Sequence, residues 1–182
     1  MEGTIMNTKI KLIVIIIFLL SGCASGSINV REPVSVKLSS YSTLQVDVSF
    51  NKTEYFSEAK DQLETLLISK LREKEIFDKV FSNASSAGET ADIQLNITIL
   101  DLYKVTRANR LFWGYIVGGC FGGPGSAKIL VSVKLFDPGT KIMISDFEVF
   151  GSSSRHSTFA GTTKQAIKIA VNQIVEHINA NI

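Results

Sequence analysis

The sequence predicts an α+β domain: an antiparallel or mixed sheet of about five to six strands with two amphipathic helices packed on one face. Two stretches, 92–103 and 127–137, alternate apolar and polar residues, as half-buried strands do. Two others, roughly Ser57 to Lys74 and Thr162 to Ile178, repeat apolar residues at helical spacing. No internal repeat and no second domain interrupts them.

In chain order, Val34, Val36 and Leu38 alternate, as do Leu44, Val46, Val48 and Phe50. Both runs read as strands, joined through Ser39 to Thr43 into a hairpin. In the first helix Ala59, Leu63, Leu66, Leu67 and Leu71 fall on one stripe, while Glu58, Lys60, Asp61, Glu64 and Lys70 face water. That stripe belongs in the core. Ile76 to Phe81 reads as a short apolar strand, and Ser82 to Thr90 as a loop of small residues.

In the 92–103 strand Ile93, Leu95, Ile97 and Ile99 point one way and Gln94, Asn96 and Thr98 the other, so one face is wet. Ile129, Val131, Val133 and Leu135 repeat this pattern against Lys128, Ser132 and Lys134. Asp137-Pro138-Gly139-Thr140 then forms a turn, with Pro138 presetting φ and Gly139 taking a positive one. The next strand, Ile142 to Phe150, changes apolar phase between Ile144 and Phe147, which calls for a bulge or burial on both sides. In the last helix Ile167, Ala170, Val171, Ile174, Val175 and Ile178 follow the i, i+3, i+4, i+7 rule.

The N-terminus carries an address. Lys9 and Lys11 precede Leu12 to Leu20, an unbroken apolar run with the layout of a signal peptide and too short to span a bilayer, which takes about 20 residues. Leu20-Ser21-Gly22-Cys23 resembles the lipobox of bacterial lipoproteins. That resemblance implies cleavage between Gly22 and Cys23 and acylation of Cys23, whose several chains together hold a protein lastingly on a membrane. It divides the chain into a signal peptide at 1–22, a lipidated linker at 23–33, with Ser25 to Ser27 as a flexible lead, and one domain at 34–182. Ala24 stands where an aspartate would, by analogy with enterobacterial sorting, retain the protein in the inner membrane. The expected location is therefore the outer membrane, facing the periplasm, or the cell membrane of a single-membrane organism. Met1 and Met6 both serve as possible starts.

Cleavage would leave 160 of 182 residues, enough for one domain with a sizeable core. It removes Lys9, Lys11 and Glu2, so the net charge falls from +2 to +1 and suggests no nucleic-acid surface. With Cys23 acylated, Cys120 has no cysteine to pair with in the same chain.

The stretch Arg107 to Ser126 is not explained by the strand pattern. Leu111, Phe112, Trp113, Tyr115, Ile116, Val117 and Phe121 are interleaved with Gly114, Gly118, Gly119, Gly122, Gly123 and Gly125. Hairpin loops usually hold about two to five residues, and an apolar insert of this length has to leave water. Three destinations accommodate it: the open edge or face of its own sheet, the surface of another protein or another copy, and the membrane. Arg107 and Arg110 at its start would suit a headgroup layer. The seven bulky residues are the candidate interaction surface.

No catalytic or cofactor motif is apparent. Gly123-Pro124-Gly125-Ser126-Ala127-Lys128 lacks the Gly-Lys step of a phosphate loop and lies between two strands, so nucleotide binding is not expected. His156 and His177 share no ligand spacing with Cys, Asp or Glu and read as solvated, so no metal is expected. Ser152 to His156 places hydroxyls beside an imidazole with no orienting third group, which makes a cell-envelope hydrolase the enzymatic alternative to a non-enzymatic module.

Ala91-Asp92-Ile93-Gln94-Leu95, the glycines from Gly118 to Gly125 running into Ser126-Ala127, Leu135-Phe136-Asp137, Phe147 to Gly151 and the C-terminal helix together resemble the bacterial lipoprotein family catalogued as domain of unknown function 4410. The likeness covers nearly all of the chain after Cys23 and brings no assigned activity. Trp113 and the bulky residues ahead of the glycines make this insert heavier than the family pattern. The order of strands and helices is also similar to periplasmic lipoprotein domains that activate peptidoglycan synthases or form curli-type secretion pores. These readings together point to a membrane-tethered module that binds a protein partner or itself, with an oligomeric envelope or secretion assembly as the alternative.

Overall fold

The computed structural model describes residues 24–51, 57–83, 90–105, 126–153 and 162–182. Gly22, Cys23 and the insert from Leu111 to Phe121 lie outside the described residues. The elements run β1 (Ser25–Glu32), β2 (Thr43–Phe50), α1 (Ser57–Glu73), β3 (Lys79–Ser82), β4 (Ile93–Tyr103), β5 (Lys128–Asp137), β6 (Ile142–Ser152) and α2 (Thr162–Asn179). The sheet is mixed, in the order β1-β6-β5-β4-β2-β3. β2 is parallel to β3 and β4, and the remaining neighbours are antiparallel.

Both helices cover one face, as the apolar stripes require. Ala59, Leu63, Leu67 and Leu71 of α1 are buried, as are Ala166, Ile167, Ala170, Val171, Ile174, Val175 and Ile178 of α2. Against them pack Leu44, Val46 and Val48 of β2, Ile93 to Ile99 at alternate positions of β4, and Ile129 to Leu135 at alternate positions of β5. On the opposite face Gln94, Asn96, Thr98 and Ser132 are half-buried and Lys134 is exposed.

The strand boundaries expected for 92–103, 127–137 and 142–150 agree with β4, β5 and β6 to within two residues. The phase change in β6 is a bulge: Leu135 pairs with Ser145 and Phe136 with Met143, leaving Ile144 as the extra residue. Ser145 thereby turns inward, where its hydroxyl donates to the Glu32 carbonyl at 2.9 Å. A second bulge between Ile99 and Asp101 turns Leu102 back into the core.

Four expectations are corrected. Val34 to Leu38 is not a strand and makes no hairpin with β2. The first strand is Ser25–Glu32, within the segment read as linker, and it pairs with β6 at the far side of the sheet from β2. Its side chains are mostly exposed because it is an edge strand, so it shows no apolar alternation, and Pro33 follows its end. Ile76 to Phe81 contributes a strand only from Lys79, with Phe77 buried ahead of it. In the 137–140 turn Gly139 does not take a positive φ; Lys141, the residue after the turn, does, at 60°.

Candidate functional site

One row of register partners crosses four strands at one end of the sheet. Ser25 pairs with Ser152, Ser152 with Lys128, and Lys128 with Tyr103. Cys23 is two residues upstream of this row, and the glycine-rich insert leaves it after Tyr103 and returns before Lys128. Strand spacing of about 4.8 Å puts Ser25 within about 14 Å of Tyr103. The insert's return is clamped: Ala127 N donates to Ser153 Oγ and Ser153 N to the Ala127 carbonyl, each at 2.9 Å. Ser153 is buried, and the Ser152 hydroxyl donates to the Ser153 carbonyl. These two hydroxyls, part of the Ser152 to His156 loop that carried the hydrolase alternative, therefore serve the backbone, while Ser154, Arg155 and His156 lie outside the described residues.

The open face carries polar side chains in register. Asp47, Asn96, Lys134 and Asp146 form one row. Ser49, Thr98, Ser132, Glu148 and Asn29 form the next. Charges on this face meet each other: Arg31 pairs with Glu148, and Lys134 Nζ lies 3.8 Å from Asp146 Oδ2. Asp146 is almost fully buried, and among the described residues its Oδ1 and the Oδ1 of Asn96 have no hydrogen-bond partner.

Two carboxylates with depressed pKa values accept from backbone N–H groups, Asp92 tying the start of β2 to the start of β4 and Asp137 closing its own turn. Hydrogen bonds from the Thr43 and Ser42 backbone N–H groups, at 2.9 and 3.0 Å, keep Asp92 below the usual carboxylate range. The Thr140 and Gly139 N–H groups do the same for Asp137 at 3.0 and 2.8 Å. His177 is not solvated as expected: its ring centroid lies 4.4 Å from that of Phe147, its Nε2 is buried without a partner among the described residues, and burial pushes its pKa down. The helical pattern of α2 already put Ile174 and Ile178 on the buried side, and His177, three residues after Ile174, borders that side.

Among the described residues no helix is long and apolar enough to cross a membrane. No group of three or more His, Cys, Asp or Glu there is placed to hold a metal ion.

The profile of the family described as Domain of unknown function (DUF4410) matches residues 29–172, from the middle of β1 well into α2. The chain belongs to the DUF4410 family. No curated protein sequence matches this DUF4410 protein. Two solved structures of similar fold are PelC dodecamers from Paraburkholderia phytofirmans. One, a PelC variant, is 13% identical with a TM-score of 0.54, covering 85% of this chain and 97% of that one. The other is 11% identical with the same coverage and a TM-score of 0.54. Lipoprotein GNA1162 from Neisseria meningitidis is 12% identical over 74% of this chain and 99% of its own, with a TM-score of 0.44.

Proposed function

We propose that this DUF4410 protein is a lipid-anchored, non-catalytic assembly module of the bacterial envelope, acylated at Cys23, facing the periplasm from the outer membrane, and associating with copies of itself. The observation that carries this reading is the Ser25–Ser152–Lys128–Tyr103 row. It brings the first residues after the lipobox and both roots of the apolar insert to the same end of one sheet. A lipid anchor concentrates copies on a surface, and Leu111, Phe112, Trp113, Tyr115, Ile116, Val117 and Phe121 supply the apolar contact area that such association needs.

Self-association is favoured over a foreign partner because the PelC structures of like fold are dodecamers. The structural role of the Ser152 and Ser153 hydroxyls supports a binding module over a hydrolase.

Intact mass of membrane-extracted protein tests the anchor, and a mass without acyl groups at Cys23 ends that part of the reading. Native mass spectrometry in mild detergent tests the assembly. A ring or other oligomer that Trp113→Ala dissociates is expected, and a monomer in both proteins removes the assembly role.

A further inference from the structure

β1 is attached differently from the rest of the sheet. Each of the other five strands buries side chains, but no residue of Ser25–Glu32 is buried, and Ile28 alone is half-buried and packs on the core. What holds β1 is main-chain pairing, Ser25 to Val30 running in unbroken register against Ser152 to Phe147. Arg31 adds an ion pair to Glu148, and Gly26 lies beneath Ile169 and Gln173 of α2. A strand wet on both faces and carrying a glycine is of the kind that exchanges between chains. Everything β1 gives up by leaving its own β6 it regains on the β6 of a second copy.

The chain allows the move at one place. The register of β1 shifts between Val30 and Glu32, and Pro33 follows. Beyond Val34 the chain is pinned to its own body: Ser35 N donates to the Ile144 carbonyl at 3.0 Å, Leu38 N donates to the Asn181 carbonyl at 3.3 Å, and Leu38 is fully buried. Pro33 and Val34 are therefore the pivot, and a proline there favours an extended connection over a tight turn. With the β6 edges of two copies side by side, each β1 has to cross one strand spacing, about 4.8 Å, to reach the other's β6. A two-fold axis along the strands makes the exchange reciprocal and keeps both Ser25 ends, with the acyl chains proposed at Cys23, on one side of the pair.

We propose that copies of this DUF4410 protein pair by exchanging β1, so that the strand next to the lipidated residue of one copy completes the sheet of the other. This rests on the self-association proposed above and names the element that joins two copies. The exchanged pair keeps the contacts of the closed chain and adds those between the two bodies. Acylated copies confined to one membrane surface meet often enough for exchange to compete with pairing inside one chain.

The test uses full-length protein in membranes, with Cys120→Ser and with acylation of Cys23 established by intact mass, so that introduced cysteines are the free thiols. The register partners Asn29 and Glu148 are divided between two co-expressed chains of different tag, one Asn29→Cys and the other Glu148→Cys, and the membranes are oxidised. A disulfide needs Cα atoms within about 7 Å, whereas closed copies lying edge to edge keep these positions at least two strand spacings, about 10 Å, apart. Expected is a covalent pair of the two tags, several-fold above a control in which Thr140→Cys replaces Glu148→Cys. Ser25→Cys with Ser152→Cys, a second register pair, should behave alike. Disulfides formed only within one chain when both cysteines are on it, with no mixed-tag pair, overturn the exchange. Native mass spectrometry in mild detergent separates the two readings. An oligomer whose disulfides are all within single chains ends exchange and leaves self-association standing, and a monomer ends both.

Discussion

Gly151 in β6 lies directly under the Ala166 carbonyl of α2: a Cβ built on Gly151 would overlap that oxygen and come within 3.0 Å of Ala170 N. Its register partner Gly26 sits under the same helix, where a Cβ would come 2.7 Å from Ile169 Cγ2 and 3.0 Å from Gln173 Cγ. The paired glycines make a shallow trough that lets α2 settle against the β1–β6 edge.

Gly151→Ala should destabilise the domain by about 3 kcal/mol, because backbone atoms of a packed helix have nowhere to move. Gly26→Ala should cost about 1 kcal/mol, since it meets the ends of flexible side chains. Urea unfolding of the two variants checks the order, and equal losses would contradict the trough.

Ser153→Ala should cost about 1 to 2 kcal/mol by leaving the Ala127 N–H without its acceptor at 2.9 Å in a buried setting. Ser153→Thr keeps the oxygen but adds a methyl group to a packed site, and should recover part of the loss. Thermal melts of the pair separate the hydrogen bond from the space.

His177 makes stability fall in mild acid. Burial lowers its folded-state pKa below the ordinary 6.5, so the unfolded chain binds the proton more readily. Above that value the neutral ring rests against Phe147 with no charge to desolvate. As pH falls below 6.5 toward the depressed folded value, stability is progressively lost. Urea midpoints at pH 7.5 and 5.5 should differ in the parent and converge in His177→Phe, whose ring cannot take up a proton. Asp92 and Asp137 act in a separate window. Their depressed pKa values contribute stability above the ordinary 3.8 that is lost only at lower pH.

Lys141→Gly should stabilise by about 0.5 to 1 kcal/mol, since Lys141 holds a φ of 60° that glycine adopts without strain. A raised melting temperature without change in oligomeric state is the expected result.

The core was legible in the sequence because it is built from periodic segments. The Ala59–Leu71 stripe, the Ile93–Ile99 alternation and the Ala166–Ile178 face are all buried as their spacing implies. β1 was not legible. Both of its faces are largely wet, its partner β6 is distant in sequence, and Ser25-Gly26-Ser27 has the composition of a tether. The alternation of Val34, Val36 and Leu38 misled for the opposite reason: only Leu38 is fully buried, where the chain crosses from β6 to the end of α2 through Ser35 N to the Ile144 carbonyl and Leu38 N to the Asn181 carbonyl. Neighbourhood between the start of the domain and the roots of the insert is a property of register, which local sequence does not encode. The apolar content of the insert was visible at once, since seven bulky residues stand among its glycines.

The pairing of β1 with β6 also dictates the timetable of assembly. The ribosome makes β1 before every other element of the sheet and β6 after them, so the strand nearest the lipobox finds no companion until β6 has emerged. A product cut short before Thr162 would keep the helix-facing side of β6 bare, a mark by which quality-control proteases could tell a broken chain from a finished one.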